Sequence, residues 1–246
     1  MKFHYMSLLE DNSREGLIDI ANTVHDVGYE SLLLVYDSFL DNVVVNVANT
    51  ISQEHTFKYI IAIRTYSVSP EYLAQVYETF EKIAPGRVTF NIIPGNIKPY
   101  ETSINDVVFI EDKIDTKEKL NDYTLEWLKK YKKLSVRKKL PPLMLSGQTI
   151  DFQKYSIENG IINIIKVNDF LNQYGSTLLN NKNQIVSTPI SGDNDSVKSL
   201  ILDLESKGVS DVLVYYTQDN KNASEIHNII KSLFPESLHR PKEMIE

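Results

Sequence analysis

The chain contains no cysteine, so disulfides, thiolate nucleophiles and thiolate metal sites are all excluded by inventory. That usage fits a reducing cytoplasm, which is the expected location. No apolar run reaches the ~20 residues that a membrane-spanning helix needs. The start, Met1-Lys2-Phe3-His4 and soon Glu10-Asp11-Asn12, lacks the continuous apolar segment of a secretory signal. Positive charge is in deficit: 26 lysines and arginines against 33 acidic residues give a formal charge of −7, which offers phosphate backbones and anionic lipid little general attraction. Neither nucleic acid nor a membrane is expected as a partner. Histidine is sparse, with five in all, and none stands in a His-Glu-x-x-His or other metal-spaced pair; no Gly-x-Ser-x-Gly elbow occurs either. Hydrolase and metalloenzyme chemistry is therefore disfavoured, and no metal is expected. Any reaction would fall mainly to a bound organic cofactor.

What the chain does have is alternation. Eight apolar runs rich in valine, isoleucine and tyrosine recur at Phe3 to Ser7, Ser31 to Tyr36, Tyr59 to Thr65, Val88 to Pro94, Leu143 to Gly147, Ile161 to Val167, Gln184 to Ile190 and Asp211 to Thr217. Helical stripes lie between them, such as Leu17, Ile20, Ala21 and Val24, or Leu73, Val76, Tyr77, Phe80 and Ile83. Eight strand–helix pairs predict a compact (β/α)8 TIM barrel, one domain over residues 1–246. A doubly wound open sheet is the runner-up, but it would place a glycine-rich phosphate turn after its first strand, and Ser7 to Arg14 contains no glycine. Pro189 predicts that the seventh strand ends near Thr188 or carries a bulge.

In such a barrel the loops after the strands form the reactive rim and those before them mainly stabilise. His55 and Gly86-Arg87 fall on the stabilising side, while His4, on the first strand, is the histidine placed to reach the interior. Tyr36 and Ser38 after the second strand and Tyr216 at the end of the eighth face the rim; with His4 they are the candidate substrate pocket. Asn91 interrupts the apolar run Val88 to Ile93, and a buried amide without a partner costs about 1–3 kcal/mol. Strict alternation puts it with Thr89 and Ile93 on the inner face, where a planar heterocycle or a water would satisfy it. Ser146-Gly147-Gln148-Thr149 precedes a helix starting near Ile150, so hydroxyls and helix-start amides converge there; they suit an anion, or serve simply as a helix cap.

The spacing Arg64, Ser69-Pro70, Ala74, Thr79, Gly86-Arg87, Asn91 and Gly95 resembles the bacterial luciferase-like flavin monooxygenases, most closely the alkanesulfonate monooxygenase branch. Asp26-Val27-Gly28-Tyr29, Glu126-Trp127-Leu128, Pro141-Pro142-Leu143 with Ser146 to Thr149, and Gly208-Val209-Ser210-Asp211 extend the resemblance over most of the chain. It implies a (β/α)8 barrel that holds FMN, or in some branches the deazaflavin F420, across the strand ends. FMN would enter in its reduced form as a co-substrate from a separate, transiently bound flavin reductase. Carried over by position, Arg64 and Thr65 would border the flavin where the family often has a non-prolyl cis peptide. Asn91 would meet the isoalloxazine edge, Gly147, Gln148 and Thr149 would receive the phosphate, and Ser146 beside them is counted among the cofactor-binding residues.

Departures from the family pattern leave the substrate and the catalytic residues unknown. Ser38 replaces a cysteine, Leu120-Asn121 an Arg-Tyr pair, and Val186-Ser187-Thr188 an arginine and a histidine. The long insertion after the seventh strand, which supplies a lid, has no room between Ile190 and the helix near Val197. The expected activity is an FMN-dependent monooxygenase acting on a small organic molecule. The alternatives are a catalytically silent flavin-binding barrel, a carrier or scaffold, and an F420-dependent oxidoreductase. Val43, Val44, Val45, Val47 and Ile51 offer more apolar surface than one helix face needs, which predicts a homodimer.

Overall fold

The computed structural model describes residues 1–7, 14–35, 42–51, 57–95, 114, 116–173, 184–190, 194–216 and 228–232. Eight strands run in chain order: β1 (Lys2–Ser7), β2 (Ser31–Val35), β3 (Lys58–Arg64), β4 (Val88–Ile93), β5 (Met144–Leu145), β6 (Ile162–Lys166), β7 (Gln184–Ile190) and β8 (Asp211–Tyr216). Each pairs in parallel with the next, and β8 closes on β1 through Lys2↔Asp211 to Met6↔Tyr215. The pairing of β1 with β8 is what an open sheet cannot make, so the architecture is a (β/α)8 TIM barrel. Between the strands lie α1 (Arg14–Val27), α2 (Val43–Thr50), α3 (Pro70–Ile83), α4 (Lys117–Lys138), α5 (Ile150–Asn159), α6 (Val167–Gln173) and α7 (Asn194–Ser206). No helix among the described residues is long and apolar enough to cross a membrane.

Period-2 alternation sorts each strand between two cores. On β3, Tyr59, Ile61 and Ile63 join the outer core against the helices, while Ile60 and Ala62 join Leu33, Met144, Ile164, Ile185 and Leu213 inside the barrel. On β4, Val88, Phe90 and Ile92 take the outer face. Phe90 meets Tyr77 of α3 edge-on at 5.0 Å between ring centroids. The helices begin where short polar side chains satisfy first-turn amides: Asn42 accepts from Val44 and Val45, Ser69 from Tyr72 with Pro70 just inside, and Thr116 from Lys119. On α4, Trp127 stacks on Tyr131 and donates from Nε1 to the Val68 carbonyl at 2.9 Å, tying the helix to the β3–α3 connection.

Four expectations need correction. Pro189 neither ends nor bulges β7, which runs through Ile190. Pairing with β6 stops at Lys166↔Ser187, so beyond it β7 is an edge on that side, where a missing N–H is tolerated. Ile83 is 57 % exposed at the end of α3 and does not belong to its buried stripe. β5 has two residues, not five. The apolar surplus of α2 is mostly internal: Val43, Val47 and Ile51 are buried, Val44 packs partly on the core, and Val45 alone stays outside.

Candidate functional site

Alternation along β3, β4 and β5 delivers three polar side chains to the inner surface near the C-terminal strand ends. Arg64 closes β3 on the face of Ile60 and Ala62, paired with Ile93 across the sheet. It is 8 % exposed, and its Nη1 donates to the Tyr66 hydroxyl at 2.8 Å. Gly95 lies against this pair in the left-handed region at φ +76°; a Cβ there would sit 3.4 Å from both Arg64 Cδ and the Tyr66 hydroxyl oxygen. Lys117, at the start of α4, donates to the Gly95 carbonyl, and burial holds its pKa below the ordinary lysine range.

Asn91 faces inward as alternation predicts. Its first partner is the Ser146 hydroxyl, which accepts from Nδ2 at 2.9 Å and donates back to Oδ1 at 3.2 Å. One N–H and one acceptor site of the amide are therefore met within the protein, across the register Asn91↔Met144 that sets β4 beside β5. Ser146 stays partly exposed above it.

The turn after β5 divides its four residues. Gly147 is buried, donates to Asn163 Oδ1 at 3.4 Å and accepts from Asn163 Nδ2 at 3.3 Å. Any Cβ there would lie 2.5 Å from Phe152 Cβ, so only glycine fits. Gln148 and Thr149 are exposed, and the Gln148 carbonyl accepts from Gln153 Nε2 at 3.3 Å. Thr149 has the extended backbone of an N-cap, yet its side chain makes no cap bond to α5. The plain capping reading thus fails for Thr149, and the first-turn amides of α5 have no side-chain cap. Asp151 adds a carboxylate in that turn, which weakens its pull on an anion.

Thr65 takes no part in this inner surface. The chain leaves extended geometry in a 3-10 turn over Thr65–Ser67, and the Thr65 hydroxyl lies 2.9 Å from Thr124 Oγ1 on α4. Thr124 already donates to the Leu120 carbonyl, so Thr65 donates to Thr124. Among the described residues no cis peptide bond occurs, at Arg64-Thr65 or elsewhere. Tyr36 and Ser38 lie outside the described residues, as does the side chain of Tyr216.

His4 reaches the interior, but at the opposite end from the reactive rim. Its Nδ1 is 2.7 Å from Ser31 Oγ and its Nε2 3.2 Å from Asp211 Oδ1, so it joins β1 to the first residues of β2 and β8. A cavity of about 350 Å³ opens beneath, lined by Lys2, His4, Glu30, Ser31, Lys58 and Asp211 among others. This places His4 on the stabilising face, apart from Arg64, Asn91 and Ser146. Burial raises the Asp211 pKa, but hydrogen bonds from His4 and Ser210 outweigh it and hold the carboxyl below the ordinary aspartate range. A carboxylate with a depressed folded pKa stabilises the fold fully above about pH 4 and loses that contribution as pH falls through its lower folded value. Melting temperature followed from about pH 5 down to pH 2 should drop less steeply in Asp211→Asn than in the parent chain. Superimposable acid limbs would contradict the role given to this carboxylate.

The sequence sets Tyr66 and Tyr215 at strand ends on the rim side without giving either a role, and it carries no signal for Lys117. Tyr215 shares the inner face with Leu213, and alternation along β8 would have chosen it over Tyr216; burial raises its pKa.

No protein-family model and no curated protein matches the chain. Solved structures do. The oxygenating constituent of 3,6-diketocamphane monooxygenase, a type II Baeyer-Villiger monooxygenase from the CAM plasmid of Pseudomonas putida in complex with FMN, superposes with a TM-score of 0.60 at 15 % identity, over 82 % of this chain and 71 % of its own. Apo-MsnO8 superposes with a TM-score of 0.67 at 12 % identity, over 96 % and 98 %. EDTA monooxygenase from Chelativorans sp. BNC1 gives 0.58 at 12 % identity, over 84 % and 66 %. At such identities these likenesses show that the chain shares the fold of those proteins.

Proposed function

We propose that the chain, taken as one domain over residues 1–246, is a flavin-dependent monooxygenase acting on a small organic substrate. The observation that carries this reading is the polar inner patch formed by Arg64, Asn91 and Ser146 at the C-terminal ends of β3, β4 and β5. It interrupts an inner wall that is otherwise built largely from leucine, isoleucine, alanine and methionine. The residues present fit FMN in kind. Asn91 and Ser146 offer donors and acceptors to the edge of a planar heterocycle, Arg64 offers a cation, and the uncapped start of α5 offers amides to a phosphate. Two of the fold neighbours are named as monooxygenases, and one of those was solved with FMN. They support the reading by analogy of fold.

When bound, the reduced flavin would supply the electrons and the site of oxygen activation. The protein's part is to hold the ring beside Asn91, keep a cation near it through Arg64, and place the phosphate at α5. Reduced FMN as co-substrate calls for a separate reductase that docks transiently. F420 is the less favoured cofactor, and a homodimer and a cytoplasmic location complete the proposal. The silent flavin carrier is the second reading, and one feature favours it: only residues 191–193 join β7 to α7, leaving no long segment there to cover the mouth.

Mixing the protein with reduced FMN and then oxygen separates the two. An enzyme should change the time course of flavin reoxidation and, with an accepted substrate, couple it to product. A carrier should bind flavin and leave the solution rate unaltered. Absence of flavin binding would end both readings.

A further inference from the structure

A central parallel strand buried on both faces is served best by valine, isoleucine and leucine, yet β6 carries an asparagine on its outer face. Asn163 is 1 % exposed beside Leu145, its partner in the β5–β6 register. Its amide is spent on the Gly147 backbone, holding N–H and C=O together at 3.4 and 3.3 Å. β5 is only two residues long, so its ladder to β6 stops at Leu145. On the β4 side the ladder continues through Ser146 N–H to the Ile92 carbonyl at 2.8 Å. On the β6 side the Asn163 side chain takes over where the backbone leaves off.

A second buried amide holds the same turn from below. Gln153 of α5 is 1 % exposed and donates to the Gln148 carbonyl at 3.3 Å, while its Oε1 is buried without a hydrogen-bond partner. Phe152 fills the space that a Cβ on Gly147 would need. Packing alone would be met by apolar side chains at 153 and 163 without the desolvation of two amides. What the amides add is a fixed path for residues 146–149.

We infer that Asn163 and Gln153 are positioning residues for the phosphate end of a bound flavin mononucleotide. They act through the backbone of the β5–α5 turn and touch no ligand themselves. The inference rests on the flavin reading above and adds that the turn is rigid before the ligand arrives, so that little ordering is left for binding to offset.

The test compares FMN with riboflavin, which has the same ring and no phosphate. Each is titrated calorimetrically into the parent chain, Asn163→Leu and Gln153→Leu, with folding checked by circular dichroism and melting. The parent should bind FMN more tightly than riboflavin. Each variant should lose about tenfold or more in FMN affinity while riboflavin stays within about twofold. A variant that weakens both flavins equally, or neither, would overturn the inference, because a merely structural role does not distinguish the phosphate. If Asn163→Leu does not fold, Gln153→Leu carries the same comparison alone. Equal affinity of the parent for the two flavins would remove the phosphate site and overturn the inference with the flavin reading intact. No binding of either would instead overturn the flavin reading itself.

Discussion

Replacing Phe90 with alanine is expected to lower the unfolding free energy by about 3–5 kcal/mol. The ring is completely buried on the outer face of β4, with Tyr77 edge-on at 5.0 Å and Phe80 at 6.1 Å, both from α3. Two costs combine. Truncation forfeits the transfer free energy of the buried ring and leaves a cavity, and it deletes aromatic contacts worth about 0.5–1.5 kcal/mol beyond area burial. Collapse around the gap is resisted because β4 is held on both sides by β3 and β5 in a closed ring. Against a total stability of about 5–15 kcal/mol the loss is large enough to bring the chain near unfolding. Urea titration of parent and variant measures it directly. A change below about 1 kcal/mol would mean that the β4–α3 contact is not the core that positions Asn91.

The second large effect concerns binding. Arg64→Met should weaken FMN by roughly ten- to a hundredfold, since a hydrogen bond to a charged group contributes about 1.5–3 kcal/mol. Methionine keeps an unbranched, polarizable side chain on the inner face, so the change falls on the guanidinium and its bond to Tyr66. Thr65→Val is the matched control one residue away. Its hydroxyl serves Thr124 on α4, so the variant should be destabilised by about 1 kcal/mol and leave FMN affinity within about twofold. Fluorescence quenching of FMN in titrations of both variants decides the matter. Equal losses in the two would dissolve the distinction between inner and outer faces at the end of β3.

The barrel was legible because its signal is local. Strand runs and helix stripes depend on near neighbours, and alternation alone puts Asn91 on the inner face. What depends on pairing between distant segments was not legible. Asn91 and Ser146 are 55 residues apart, and their contact follows from the β4–β5 register. Alternation also ceases to guide where a strand ends: the 3-10 turn after Arg64 swings Thr65 towards α4. For His4, alternation gave the face but not the height along the barrel, and height decides between reactive and stabilising ends. The α2 valines read as a docking surface because a single helix pattern does not show how much of it the barrel covers. Asn163 is the instructive omission. It interrupts Ile161 to Val167 as Asn91 interrupts Val88 to Ile93, and the same reasoning would have marked it.

A crystal structure of the chain grown with FMN tests the central claim most directly. The flavin ring should lie against Asn91 and Ser146 with Arg64 in reach, and the phosphate should meet the exposed amides at the start of α5. Flavin seated instead in the cavity beneath His4, or no flavin bound at saturating concentration, would contradict it.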